Sequence, residues 1–194
     1  YCFPNRLEEV IVLQEAVVQN PNDAKAYYYL GNFWYHSRQY DEAQSCWESS
    51  ISIDGSNSIC LRNLALLYYN KRNLTDQAVA HLNKAFEIDS KSPRVLMELD
   101  QLYKKLNYNI EDRYALLEKH PHLIELRDDL YLERIALYNI KGEHRKALQL
   151  IEKRQFHPWE GGEGKVSFHY VTAKVELAKA NIKNGNNDES IALL

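Results

Sequence analysis

Cysteine is scarce in this 194-residue chain. Three are present, Cys2, Cys46 and Cys60, far apart and with no CxxC pair, which excludes a disulfide framework and a zinc ribbon. Long apolar runs are missing too: no stretch approaches the roughly 20 residues that a membrane span needs, and no signal-peptide pattern stands at the start. Nor is charge of one sign in excess. A net charge of −3 provides no field to gather nucleic acid. These absences point to a reducing, cytoplasmic setting, with neither nucleic acid nor membrane as partner. Glycine is the last scarcity, at seven residues, and three of the seven crowd together at Gly161, Gly162 and Gly164.

What is present suits a packed soluble protein: 45% of residues are hydrophobic and 26% charged, enough for a real core. The chain opens at Tyr1 without a methionine and stops at Leu194 inside a helical pattern, so it reads as a piece of a longer protein.

The informative feature is internal repetition. In "AKAYYYLGNFWYHSRQYDEAQSCWESSISID", Tyr27, Leu30, Gly31 and Trp34 are followed by Ala43, Trp47 and Ser50. Next, "SICLRNLALLYYNKRNLTDQAVAHLNKAFEID" repeats the spacing with Leu61, Leu64, Ala65, Tyr68, Ala78, Leu82 and Ala85, with one residue inserted in the turn at "RNLTD". Apolar residues at three- and four-residue intervals give each helix one apolar face, and a small residue at the crossing lets two backbones approach. This spacing resembles the tetratricopeptide repeat, a helix-turn-helix unit. The resemblance implies an all-α fold: a right-handed α-solenoid of stacked repeats.

The remaining units follow with less fidelity. Residues 6–23 read as the second helix of a preceding unit whose first helix is missing. Residues 24–57 and 58–92 are full repeats, and 93–127 a degenerate one with Asp100 and Asp112 at its crossing positions. Residues 128–154 make a further repeat, 155–165 a glycine-rich insertion, and 166–194 a truncated repeat. Crossing residues Ala43, Ala78, Asp112 and Ala147 lie 35, 34 and 35 apart, but the step from Ala147 to Ser190 is 43. The extra length is expected almost wholly in "RQFHPWEGGEGKV", as an insertion on one face of the array.

In a solenoid of this kind the first helices line a concave groove, so the resemblance names a partner-facing set: Lys25, Tyr28, Asn32 and Tyr35, then Arg62, Asn63, Leu66 and Tyr69, then Arg94, Met97, Gln101 and Lys104. Amides, tyrosines and cations suit an extended peptide. A solvated helix face with tyrosines packed along their own stems is the plainer alternative. Some tetratricopeptide proteins clamp a carboxylate with two lysines, two asparagines and an arginine. Here Asn32, Asn63 and Arg94 match, while Tyr28 and Glu98 stand where cations are needed, so a full clamp is not expected.

The insertion supplies the other candidates: His157, Trp159, Glu160, Glu163 and Lys165. A phosphate loop fails on its letters, because Trp159 and Val166 replace the glycine and the hydroxyl that G-x-x-x-x-G-K-[ST] requires. His144, His157, Glu160 and His169 match no metal-ligand spacing, so no metal and no cofactor is expected. Trp159 beside Glu160 and Glu163 suits a sugar site, in which a ring stacks on the pyranose and carboxylates hold hydroxyls. Against that stands a structural loop in which Trp159 is a plug and the glycines turn the chain.

Taken together, "PNDAKAYYYLGN", "LRNLALLYYNKRN", "RVLMELDQLYKKL", "HPHLIELRDDLYLE" and "FHPWEGGEGKV" resemble a group of large bacterial proteins in which a β-rich, mutarotase-like N-terminal domain precedes a tetratricopeptide array. The resemblance implies a non-catalytic scaffold that binds a protein or peptide segment or docks its own N-terminal domain. The rival it leaves open is an accessory part of a carbohydrate-active enzyme, with the 157–165 loop completing a glycan site on that domain.

Overall fold

The computed structural model describes Pro4 and residues 6–193, and these form helices without a strand. Their order is α1 (Leu7–Gln19), α2 (Ala24–His36), α3 (Tyr40–Ile53), α4 (Ser58–Leu67), α5 (Thr75–Ile88), α6 (Pro93–Lys105), α7 (Ile110–Glu118), α8 (Pro121–Ile124), α9 (Asp128–Ile140), α10 (His144–Lys153), α11 (Lys165–Lys183) and α12 (Asn187–Leu193). Cys2 lies outside the described residues. The chain divides within α6 into two compact units, one ending at Val95 and one beginning at Leu96.

In the first unit α2 packs on α3 around Trp47, which is 2% exposed. Gly31 makes that approach possible, since a Cβ there would sit 2.3 Å from Trp47 Cδ1. A mid-helix glycine costs about 0.5–1 kcal/mol relative to alanine. Burial of the indole offsets this, because its Nε1–H donates to the Tyr28 carbonyl at 3.3 Å and to Asn32 Oδ1 at 3.2 Å. Ser50 Oγ closes the far end of the pair by donating to the Ala24 carbonyl at 2.8 Å. Asp23 and Asn57 cap α2 and α4 by accepting from backbone N–H groups one turn on. Val10 of α1 packs with Leu30 and Phe33 of α2, whereas Leu7, Ile11, Val12 and Val18 are exposed.

Between the paired helices the chain turns through one left-handed residue each time: Arg38, Asn73, Asn107, Gly142 and Gly185. Their intervals are 35, 34, 35 and 43. The caps Asp23 and Asn57 are 34 apart while Arg38 and Asn73 are 35 apart, so the residue added in the second pair lies between Asn57 and Asn73. A π turn over Tyr68–Arg72 accommodates it. The insertion is thus inside the helix end rather than in the turn, as a single-residue bulge of this kind requires.

The second unit opens with an exception to the small-residue rule. Asp100 and Arg113 are buried, and Arg113 donates through Nε and Nη2 to both Asp100 carboxylate oxygens at 2.9 and 2.8 Å. Glu133 of α9 accepts a third bond from Arg113 Nη2 at 3.1 Å and is held in turn by Lys104 Nζ at 2.8 Å. Burial pushes the Asp100 carboxyl up against the pull of Arg113. Asp112, expected at the crossing, is exposed: the crossing falls one residue later, at Arg113, which stands three residues after the start of α7 as Ala43 and Ala78 do in α3 and α5.

A polar contact recurs between consecutive pairs. Tyr68 OH donates to Glu48 at 2.7 Å in the first unit, and Tyr138 OH to Glu118 at 3.0 Å in the second, the same two positions 70 residues on. Arg134 joins Glu118 at 2.7 Å. Burial would raise the Glu118 pKa, but these two donors hold it below the usual range.

Candidate functional site

In the first unit, α2 and α4 carry the groove candidates, and two clefts lie along them. The larger, about 530 Å³, is lined by Lys25, Tyr28, Tyr29, Asp54, Asn57 and Ile59 among others. The smaller, about 230 Å³, is lined by Asn32, Tyr35, Trp47, Arg62, Asn63 and Leu66. Lys25 and Arg94 are exposed, and Tyr35, Arg62, Asn63 and Tyr69 are half-buried. Tyr28 and Asn32 differ from expectation, being 7% and 2% exposed. Trp47 accounts for Asn32, whose side-chain oxygen accepts from the indole N–H at the helix crossing.

That attraction sets the chemistry of the smaller cleft. A tryptophan N–H can only donate, so Asn32 must turn its carbonyl oxygen toward Trp47. The same oxygen accepts from Asn63 Nδ2 at 3.1 Å, and Asn63 Oδ1 accepts from Arg62 Nη1 at 3.2 Å. Asn32 Oδ1 thus has both lone pairs taken by protein donors, and Asn63 Oδ1 has one. With Asn32 buried, what the pair offers a ligand is the second N–H of half-buried Asn63, which fits a carbonyl or carboxylate oxygen.

In the second unit the glycine-rich segment is tied down at its start. Asp128, at the head of α9, accepts from Arg154 Nε at 2.6 Å and from the His157 backbone N–H at 2.8 Å, and contacts His157 Nδ1 at 3.1 Å. Burial would raise the Asp128 pKa, but these partners hold the carboxyl below its ordinary value. The Arg154 guanidinium stacks on Tyr131 at 4.4 Å, and Phe156 meets Tyr131 edge-on. Two of the glycines, Gly161 and Gly164, have φ of +78° and +72°, conformations that other residues adopt at a cost. Gly162 lies flat on the indole, and a Cβ there would be 2.3 Å from Trp159 Cε2. Trp159 is half-buried between Gly162 and Phe156, and Glu160, Glu163 and Lys165 are exposed. A cleft of about 720 Å³ remains between this loop, the end of α10 and the start of α11.

Sequence comparison matches residues 24–57 to the family described as Tetratricopeptide repeat. Residues 24–57 are a tetratricopeptide repeat, and the all-helical fold is that of a tetratricopeptide solenoid. The chain's fold is similar to that of YrrB, a tetratricopeptide protein with an unusual peptide-binding site, at 13% identity over 95% of this chain and 89% of that one, with a TM-score of 0.66. MamA is similar over 88% and 87% of the two chains at 19% identity and a TM-score of 0.59, and PilF of Pseudomonas aeruginosa over 94% and 78% at 16% identity and 0.60. At these identities the likeness is one of fold.

In the tetratricopeptide frame α2, α4, α6, α9 and α11 are first helices. α11 has 19 residues where α9 has 13. Part of the extra length after Ala147 thus extends this helix at its N-terminal end, and the rest forms the loop. The extension places the His169 carbonyl where Asn139 Nδ2 donates to it at 3.0 Å, and Asn139 Oδ1 engages His144 Nδ1 at 3.0 Å. Asp128 anchors the loop without any spacing signal in the sequence, because its partners lie 26 and 29 residues away. Among the described residues no helix is long and apolar enough to cross a membrane.

Proposed function

We propose that the chain is a non-catalytic interaction scaffold whose first unit holds an extended protein segment along α2 and α4. The observation that supports this is the chain of bonds from Arg62 through Asn63 to Asn32. It leaves an Asn63 amide N–H at a 230 Å³ cleft walled by Tyr35 and Trp47. Such a donor pairs with a carbonyl of an extended backbone, and flat aromatic walls hold side chains at small entropic cost. Lys25 and Arg94 add exposed cations on the same unit. The likeness to YrrB is consistent with this reading, since that protein is described as having a peptide-binding site.

The segment comes either from another protein or from an N-terminal domain of the same chain, and the expected setting is the cytoplasm. A randomised peptide library selected on the chain, followed by calorimetry, tests the site. The best ligand should bind the Asn63→Ala and Arg62→Ala variants about tenfold more weakly, a loss of roughly 1.4 kcal/mol. Equal affinity for both variants and the native chain would remove the groove reading. A glycan on Trp159 would have one face of the indole to stack on, the other being covered by Gly162.

A further inference from the structure

The cleft beside the glycine-rich loop is chemically unlike the groove of the first unit. Its floor is apolar: Ile151, Phe156, Trp159 and Val166 line it. The cation within it is already satisfied. Arg154 is bonded to Asp128 and to the Glu125 carbonyl, and its face rests on Tyr131. His157 is held against the same Asp128. Glu160 and Glu163 also line the cleft, are exposed, and have no protein partner among the described residues. Lys165, two residues beyond Glu163, is exposed and bonded to neither.

We propose that this cleft receives an arginine side chain from a partner protein, its guanidinium over the exposed ring surface of Trp159 and Phe156 and its charge met by Glu160 and Glu163. Three properties of the site select that occupant. The uncompensated charge at the mouth is negative, so phosphates and carboxylates are repelled. An aromatic floor under a carboxylate rim is what a planar guanidinium uses, through cation–π contact on one side and forked hydrogen bonds on the other. Lysine, a compact and strongly hydrated charge, exploits the flat floor less well. The loop is also fixed in advance. Gly161 and Gly164 set its backbone, Gly162 locks the indole and Asp128 ties its start, so little freedom remains to be lost on binding.

The test is a titration of the whole chain, followed by NMR at the Trp159 indole N–H and the Glu160 and Glu163 amides. The probes are capped pentapeptides that differ only at the central residue: arginine, lysine, citrulline or glutamate. The arginine peptide should shift these signals saturably and citrulline, its neutral isostere, should not. Lysine should bind more weakly than arginine. The double variant Glu160→Gln, Glu163→Gln should weaken arginine binding about tenfold or more with an unchanged melting temperature, because neither side chain packs against the protein. Raising the salt to about 0.5 M should weaken it too. Citrulline binding as tightly as arginine, an undiminished affinity in the double variant, or the same signals answering only to an oligosaccharide would each overturn the proposal. Asn63→Ala should leave this titration unchanged, so its outcome is separate from that of the groove in the first unit.

Discussion

Asp100 and Arg113 meet at a helix crossing as a buried, two-bonded ion pair, in the positions that Gly31 and Ala43 occupy in the first unit. Taking two charges out of water is costly, and the pair holds because both Asp100 oxygens accept from Arg113 and Glu133 takes a further bond from it. Asp100→Ala leaves Arg113 buried with Glu133 as its remaining carboxylate, and should cost about 3 kcal/mol in urea denaturation. The double change Asp100→Ala, Arg113→Leu removes both charges and should recover most of that loss. A single variant that costs less than about 1 kcal/mol would mean that water reaches the pair.

The packing of Gly31 against Trp47 yields the second prediction. Alanine is the better helix former by roughly 1 kcal/mol, yet its Cβ would lie 2.3 Å from an indole that is 2% exposed. The overpacking term should win, with net destabilisation of about 1–3 kcal/mol on thermal melting. Gly31→Ala melting at or above the native temperature would show that Trp47 has room to move.

The helices were legible in the sequence because their cause is local and periodic. Apolar faces, cap residues such as Asp23 and Asn57, and small residues at crossings all repeat at about one interval. What the pattern hid were the places where one chemistry replaces another at a single position. Asp100 looked like degeneration, since the arginine that completes it is 13 residues away on another helix. Asn32 looked like a free groove amide. Its pattern neighbour Trp47 claims the oxygen, and periodicity does not report which atom of a side chain faces where.

The two loop glycines should respond differently to alanine. Gly161, at φ +78° with open space beside it, meets only backbone strain, about 1–2 kcal/mol for a residue held left-handed. Gly162 touches Trp159, so alanine there displaces the indole. Both variants should lose local stability, but only Gly162→Ala should also shift the Trp159 indole signal and change arginine-peptide affinity. Equal effects of the two on that signal would mean that the indole is not held by Gly162.

Acid should release the loop at its anchor. Asp128 has its folded pKa below the unfolded value, so its contribution is present above the unfolded pKa and is lost as pH falls through the lower, folded one. The unfolded reference for aspartate is about 3.9, which places the loss in the acid range below about pH 4. Amide protection of residues 156–164, corrected for intrinsic exchange, should hold constant at neutral pH and collapse within that window. Asp128→Asn should mimic the acid state at neutral pH, because the neutral amide gives up the charge that holds Arg154 and one of the two oxygens that accept from Arg154 and His157. Its protection in 156–164 should be flat through the acid range where the native chain's falls. Were the native loop to stay protected below pH 3, or the asparagine variant to be as protected as the native chain at neutral pH, the anchor would have to be the aromatic stack of Tyr131, Phe156 and Trp159 instead.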